Sequence, residues 1–167
     1  MNKDLRIRSA QPSDVVDLFS LIQALAEYEK LSYQVTGDVE MLREHLFGKR
    51  PYIEAIVAQW GTQCVGFSVF FSNYSTFLTK PGIYVEDLFV LPDYRRQGVG
   101  KSLLIYLAQL AVKRGAGRLE WSVLDWNSLA IEFYKKMGAD ILPDWRICRV
   151  TERTLSKLVN DDQHHSQ

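Results

Sequence analysis

Arg95, Gly98, Gly100, Lys101 and Ser102 stand close together in a chain of 167 residues, and their spacing suits the holding of a phosphate. Ahead of them, Ile83–Val90 is rich in β-branched and aromatic residues and bounded by Pro81-Gly82 and Pro92, a strand signature. Behind them, Val99, Leu103, Tyr106 and Leu110 recur at the spacing of an amphipathic helix. A strand that turns through glycine into a helix leaves backbone N–H groups unpaired at the positive end of the helix dipole, where an anion binds. The same strand carries two carboxylates, Glu86 and Asp87. A further acidic set, Glu27-Tyr28-Glu29, ends the first predicted helix. Such a charge run ordinarily faces water; with its tyrosine it would also make a rim for a cationic ligand.

Three phosphate motifs compete for the glycine turn. Gly100-Lys101-Ser102 matches the second half of a Walker loop, but the glycine needed five residues earlier is Arg95. A dinucleotide fingerprint needs glycine or alanine three residues after Gly100, where Leu103 stands. Arg-x-x-Gly-x-Gly, from Arg95 to Gly100 and directly after an acidic strand, is the pattern that fits.

The elements that must position these groups follow from periodicity and punctuation. Leu5–Arg8 alternates as a strand. Pro12 opens a helix whose stripe of Val15, Leu18, Ile22, Leu25 and Ala26 runs to about Lys30. Thr36 or Asp38 caps a second helix to Phe47. Ile53–Trp60 and Gln63–Phe71 flank Gly61-Thr62 as a hairpin, and Ser72–Lys80 reads as a polar-aromatic loop. After the long helix come a strand over Arg118–Val123, a short helix over Leu129–Met137, a late strand over Trp145–Val150 and a terminal helix or turn over Thr151–Val159. Strands alternate with helices only in the second half, so a mixed sheet covered on both faces is expected.

Composition excludes several functions. Twenty basic residues balance twenty acidic ones, so no global field draws the chain to nucleic acid or to an anionic membrane. No apolar run approaches membrane-spanning length, and MNKDLRIRSA is not a signal peptide. Cys64 and Cys148 lie far apart on predicted strands, which suggests buried reduced thiols and a cytoplasmic protein without a metal. One domain over residues 1–159 is expected, with a polar, disordered tail over 160–167 whose His164-His165 pair could ligate a metal but reads more simply as tail.

The loop from Arg95 to Gly100 resembles the acetyl-CoA pyrophosphate loop of the GCN5-related N-acetyltransferase (GNAT) superfamily. The run from Asn127 to Ala139 (NSLAIEFYKKMGA) resembles a second segment of that superfamily. IRSAQPSDVVDLFSLIQALAEYEK, VEDLFVLPDYRRQGVG and WNSLAIEFYKKMGA together look like its spermidine/spermine (diamine) and thialysine N-acetyltransferase branch, a likeness running from Ile7 to about Val150. The resemblance implies a mixed α+β fold with a largely antiparallel sheet of about six to seven strands flanked by helices on both faces. It implies acetyl transfer from acetyl-CoA to a primary amine by direct attack in a ternary complex, and a homodimer.

Residue by residue, it implies that Glu86 is the base, through ordered water, and Tyr134 the acid that protonates the CoA thiolate. The backbone of Leu88, Phe89 and Val90 would meet the pantetheine arm and thioester carbonyl. Arg96, Gln97, Gly98, Val99, Gly100 and Lys101 would hold the pyrophosphate, with Asn127, Ser128, Leu129 and Ala130 as further CoA contacts. Tyr28, Glu29, Glu86, Glu120, Trp121 and Ser122 would receive the amine, a diamine, polyamine or thialysine. In a regular strand Asp87 would face away from Glu86. Ser75 stands where the polyamine enzymes carry an acid, Phe77 where they carry a tryptophan, and Asp144 is the only carboxylate in Leu142–Trp145. A short diamine or lysine-like amine therefore fits at least as well as spermidine. Rival functions are an enzyme acting on an amino acid or aminoglycoside, a P-loop phosphotransferase, and a non-catalytic acyl-CoA-binding module.

Overall fold

In the computed structural model, which describes residues 4–162, alternation of buried side chains decides the architecture. Strand β2 (Glu54–Trp60) places Ile56 and Ala58 in one apolar cluster and Ala55 and Val57 in another, so the sheet is covered on both faces. It pairs antiparallel with β1 (Leu5–Ser9) and with β3 (Gln63–Ser75). β3 pairs antiparallel with β4 (Lys80–Val90), and β4 pairs parallel with β5 (Leu119–Trp121). The order is β1-β2-β3-β4-β5.

A short turn of 3-10 helix at Pro12–Asp14 leads into α1 (Val15–Tyr28), and α2 (Val39–Phe47) follows, capped by the Asp38 carboxylate on Met41 N–H at 2.8 Å. Val15, Leu18 and Leu21 of α1 and Leu46 of α2 pack on Val57, Phe67, Val69 and Phe89. On the opposite face α3 (Val99–Lys113) presents Val99, Leu103, Leu107 and Ala111 to Ile56, Val65, Ile83 and Val85. Leu103 and Leu107 are fully buried, and truncating either to alanine costs about 2–5 kcal/mol.

The register of β3 on β4 slips beside the acidic pair. Val69 faces Asp87, but Phe70 faces Val85, so Glu86 is an extra residue, a β-bulge. Ile83 and Val85 lie in the α3 core; beyond the bulge Leu88 and Val90 do, and Phe89 joins the α1 core. Asp87 thus shares the α1 face with Phe89. The regular strand expected there is broken.

Three other expectations change. The predicted loop over Ser72–Lys80 is mostly ladder, since Asn73 pairs with Gly82, Tyr74 with Pro81 and Ser75 with Lys80. A Cβ on Gly82 would meet the Asn73 side-chain oxygen, which would have to shift. The predicted late strand over Trp145–Val150 is irregular and exposed throughout, so the sheet has five strands among the described residues rather than six or seven. No strand of the sheet lies beside that segment among the described residues to satisfy its backbone. Cys148 is accordingly exposed, whereas Cys64 is half-buried with its thiol pushed up to about 11, chiefly by burial.

The chain divides into two compact units, up to Asp125 and from Trp126 onward. The second contains α4 (Ser128–Lys136) and α5 (Glu152–Asp162). α5 runs past Val159, and the rest of the expected tail, with His164-His165, lies outside the described residues.

Candidate functional site

The glycine turn is built by conformations that few sequences adopt. Arg96 has φ 61° and Gly98 φ 86°, both left-handed, and Gly98 caps α3. Glycine carries this conformation without the cost imposed by a Cβ. The first helical bond joins Ser102 N–H to Gly98 C=O at 2.9 Å, so the amides of Val99, Gly100 and Lys101 have no acceptor within the helix. No acidic residue lies in that first turn. Arg96 and Lys101 are exposed beside it. Gln97 closes the turn from within, its side-chain amide donating to Asp93 C=O at 2.9 Å.

Arg95 has a different task from the exposed cations. Its Nε donates to Val90 C=O at 2.9 Å, while its guanidinium carbon sits 4.3 Å from the Tyr28 ring centroid and 5.4 Å from that of Phe89. It clamps the end of β4 to the last residue of α1. Sequence reading left this role unassigned.

The clamp brings the end of α1 to the acidic strand. Glu86, on the bulge, is exposed. Burial pushes the Asp87 carboxyl up to about 6, with the charges of Glu86 and Glu29 adding to the shift. Burial also raises Glu29. The Asp87 carboxyl therefore senses the charges of Glu86 and Glu29 where α1 meets β4, and an arriving cation would relieve that repulsion. The fully buried Ser68 donates its hydroxyl to Asp87 C=O at 2.7 Å. Ser68 carries no expectation from the sequence, and that for Asp87 rests on a regular strand, because nothing in Val-Glu-Asp-Leu marks a bulge.

On its other side β4 is joined by β5 only over Ile83–Val85. The main chain of Leu88, Phe89 and Val90 then has no strand beside it on that edge among the described residues. Glu120 is already engaged: Arg118 Nε lies 2.7 Å away and Asn73 Nδ2 donates to the same carboxylate oxygen at 2.8 Å. The Ser122 and Tyr84 hydroxyls are 2.9 Å apart. Trp121 packs partly into the α3 core.

In the second unit, Asn127 caps α4 by accepting from Ala130 N–H at 3.3 Å. Ser128 and Leu129 are exposed and Ala130 half-buried. Tyr134 is buried, its ring 5.2 Å from that of Phe133. Among the described residues no His, Cys, Asp and Glu side chains group to hold a metal ion, and no helix is long and apolar enough to cross a membrane.

A family model described as the acetyltransferase (GNAT) family matches residues 19–139. The chain is 34% identical to an L-ornithine N5-acetyltransferase of Arabidopsis thaliana, over 92% of this chain and 87% of that one. It is 38% identical to a thialysine N-epsilon-acetyltransferase of Mus musculus, over 83% and 86%. An integron cassette protein from the mobile metagenome of V. cholerae shares the fold, with a TM-score of 0.79, 23% identity, and 95% of this chain and 99% of that one covered.

Proposed function

The chain belongs to the GNAT acetyltransferase family, and from that premise we propose that it transfers acetyl from acetyl-CoA to the terminal primary amine of a small lysine- or ornithine-like molecule or short diamine. The observation that carries the choice of acceptor is the Asp87 carboxyl, pushed up to about 6 by burial and by the charges of Glu86 and Glu29, on a strand that leads straight into the amide-lined turn. Ornithine and thialysine, the substrates named for two relatives, both end in such an amine.

An alkylammonium is protonated up to a pH of about 10 and has no lone pair until a proton leaves. Glu86 is the carboxylate that meets it, through water, and Asp87, its carboxyl pushed up to about 6, stands beside it. Once neutral, the nitrogen attacks the thioester carbon directly. The C–N bond forms, the C–S bond breaks, the thiolate takes a proton from the Tyr134 hydroxyl, and the second proton lost by the nitrogen restores that hydroxyl. Backbone groups of Leu88, Phe89 and Val90 receive the pantetheine arm and the carbonyl oxygen. The amides from Arg96 to Lys101 hold the pyrophosphate. Asn127 to Ala130 are proposed as further CoA contacts.

Tyr28 and Glu29 line the acceptor end, with Glu120, Trp121 and Ser122 farther along the edge. Because Arg118 neutralises Glu120, that segment favours a short amine over a long polycation. Homodimerisation and a cytoplasmic location belong to the same proposal. The exposed Trp145, Ile147, Leu155 and Leu158 of the second unit support an apolar self-contact.

The deciding experiment measures CoA-thiol release with thialysine, ornithine, lysine, putrescine, spermidine and an aminoglycoside. Turnover is expected with thialysine, ornithine or putrescine. Acetyl-CoA binding with no thiol released from any amine would leave the non-catalytic module in its place, and ATP bound in preference to acetyl-CoA would favour the phosphotransferase.

A further inference from the structure

We propose that Ser68 is a positioning residue for acetyl transfer: its hydroxyl fixes the Asp87 carbonyl, and so aims the next amide, Leu88 N–H, at the open edge of β4 where the thioester carbonyl is received. The role presupposes the acetyltransferase function above.

Ser68 lies between Phe67 and Val69 with no exposed surface. A hydroxyl buried among apolar side chains costs free energy unless it is bonded. Its acceptor is a backbone oxygen on the neighbouring strand, 2.7 Å away. The position of that oxygen matters. Ser68 faces Leu88 and Val69 faces Asp87, and the very next pair skips Glu86. A bulge interrupts the ladder locally, so the peptide joining Asp87 to Leu88 borders the place where regular pairing ceases to restrain it. The Ser68 hydroxyl supplies an added restraint there.

The consequence follows from peptide geometry. In a trans peptide the carbonyl and the following N–H point in opposite directions. With Asp87 C=O held towards β3, Leu88 N–H is turned away from β3, to the side that β5 leaves at Val85. A donor aimed before the reaction begins stabilises a developing oxyanion without reorganisation at that moment. Loosening the peptide should therefore slow turnover while leaving the pyrophosphate turn, on separate residues, intact.

The test compares two CoA analogues that differ in one group: acetonyl-CoA, which keeps a carbonyl, and S-propyl-CoA, which has a methylene in its place. Their Kd ratio is measured by calorimetry for the parent and for Ser68→Ala, Ser68→Cys and Ser68→Thr. The parent is expected to prefer the carbonyl. Ser68→Ala should lose about 10-fold of that preference and about 10-fold in kcat, with KM for acetyl-CoA unchanged; Ser68→Thr, which restores the hydroxyl, should recover both. Ser68→Cys keeps the shape with a weak donor and should behave like Ser68→Ala, which secures the comparison if the alanine variant misfolds. An unchanged ratio in Ser68→Ala or Ser68→Cys overturns the positioning role alone. A parent that binds neither analogue overturns the acetyltransferase reading with it.

Discussion

The guanidinium carbon of Arg95 lies 4.3 Å from the centroid of the Tyr28 ring, so the first residue of the glycine turn holds the last residue of α1. Replacing Arg95 with methionine removes this contact and the bond to Val90 C=O. We expect a loss of about 1–2 kcal/mol in chemical denaturation and a raised KM for the amine. Arg95→Lys keeps the charge without the planar fork and should recover less than half of the loss; full recovery would contradict the clamp.

Asp87 gives a prediction with two signs. Its carboxyl sits at about 6 against an ordinary 3.8, so folding takes up a proton between those values. The stabilising contribution is complete below the lower value and lost as pH rises through the upper one. Asp87→Asn does not titrate, and at pH 8 it should be more stable than the parent by about 1–3 kcal/mol, an advantage that fades below pH 4. The same variant should lose activity and the acid limb of kcat/KM near pH 6. A limb that persists in Asp87→Asn would assign it to another group.

Tyr134→Phe removes one hydroxyl from a buried ring. The expected result is a fall in kcat of roughly 100-fold with acetyl-CoA binding unchanged in calorimetry. Parent-like turnover would end the acid assignment.

Glu29→Gln tests the acceptor end. Removing one of the carboxylates near Asp87 should raise KM for the amine about 10-fold, equivalent to about 1.4 kcal/mol, while KM for acetyl-CoA stays constant. The parent should show little preference for spermine over a short amine in the same assay. A strong spermine preference would mean that the exposed edge reads charge despite Arg118.

What the sequence made legible was local. The strand, left-handed turn and helix around Gly98 lie within a short run of chain, and the Asn127 cap is announced by the residues it serves. The bulge at Glu86 was hidden because it arises from the register of β3 against β4, a relation between residues far apart in sequence. With it went the environment of Asp87 and the use of Ser68. Trp145–Val150 is the opposite case: its β-branched and aromatic residues suggest a strand, yet no ladder lies beside it among the described residues. Asn73 and Tyr74 look like loop residues, yet pairing with Gly82 and Pro81 makes them strand.

The partition between main chain and side chain in β4 has an evolutionary corollary. In the proposed function its peptide groups and the turn beyond it read a donor common to the whole family, through main-chain groups that every residue but proline carries in full. In the proposed function the amine is read instead by the side chains of Glu29, Glu86 and Asp87, each replaceable by a single codon change. A lineage built on this scaffold is free to drift from one acceptor to another while its grip on the nucleotide thioester stays inherited.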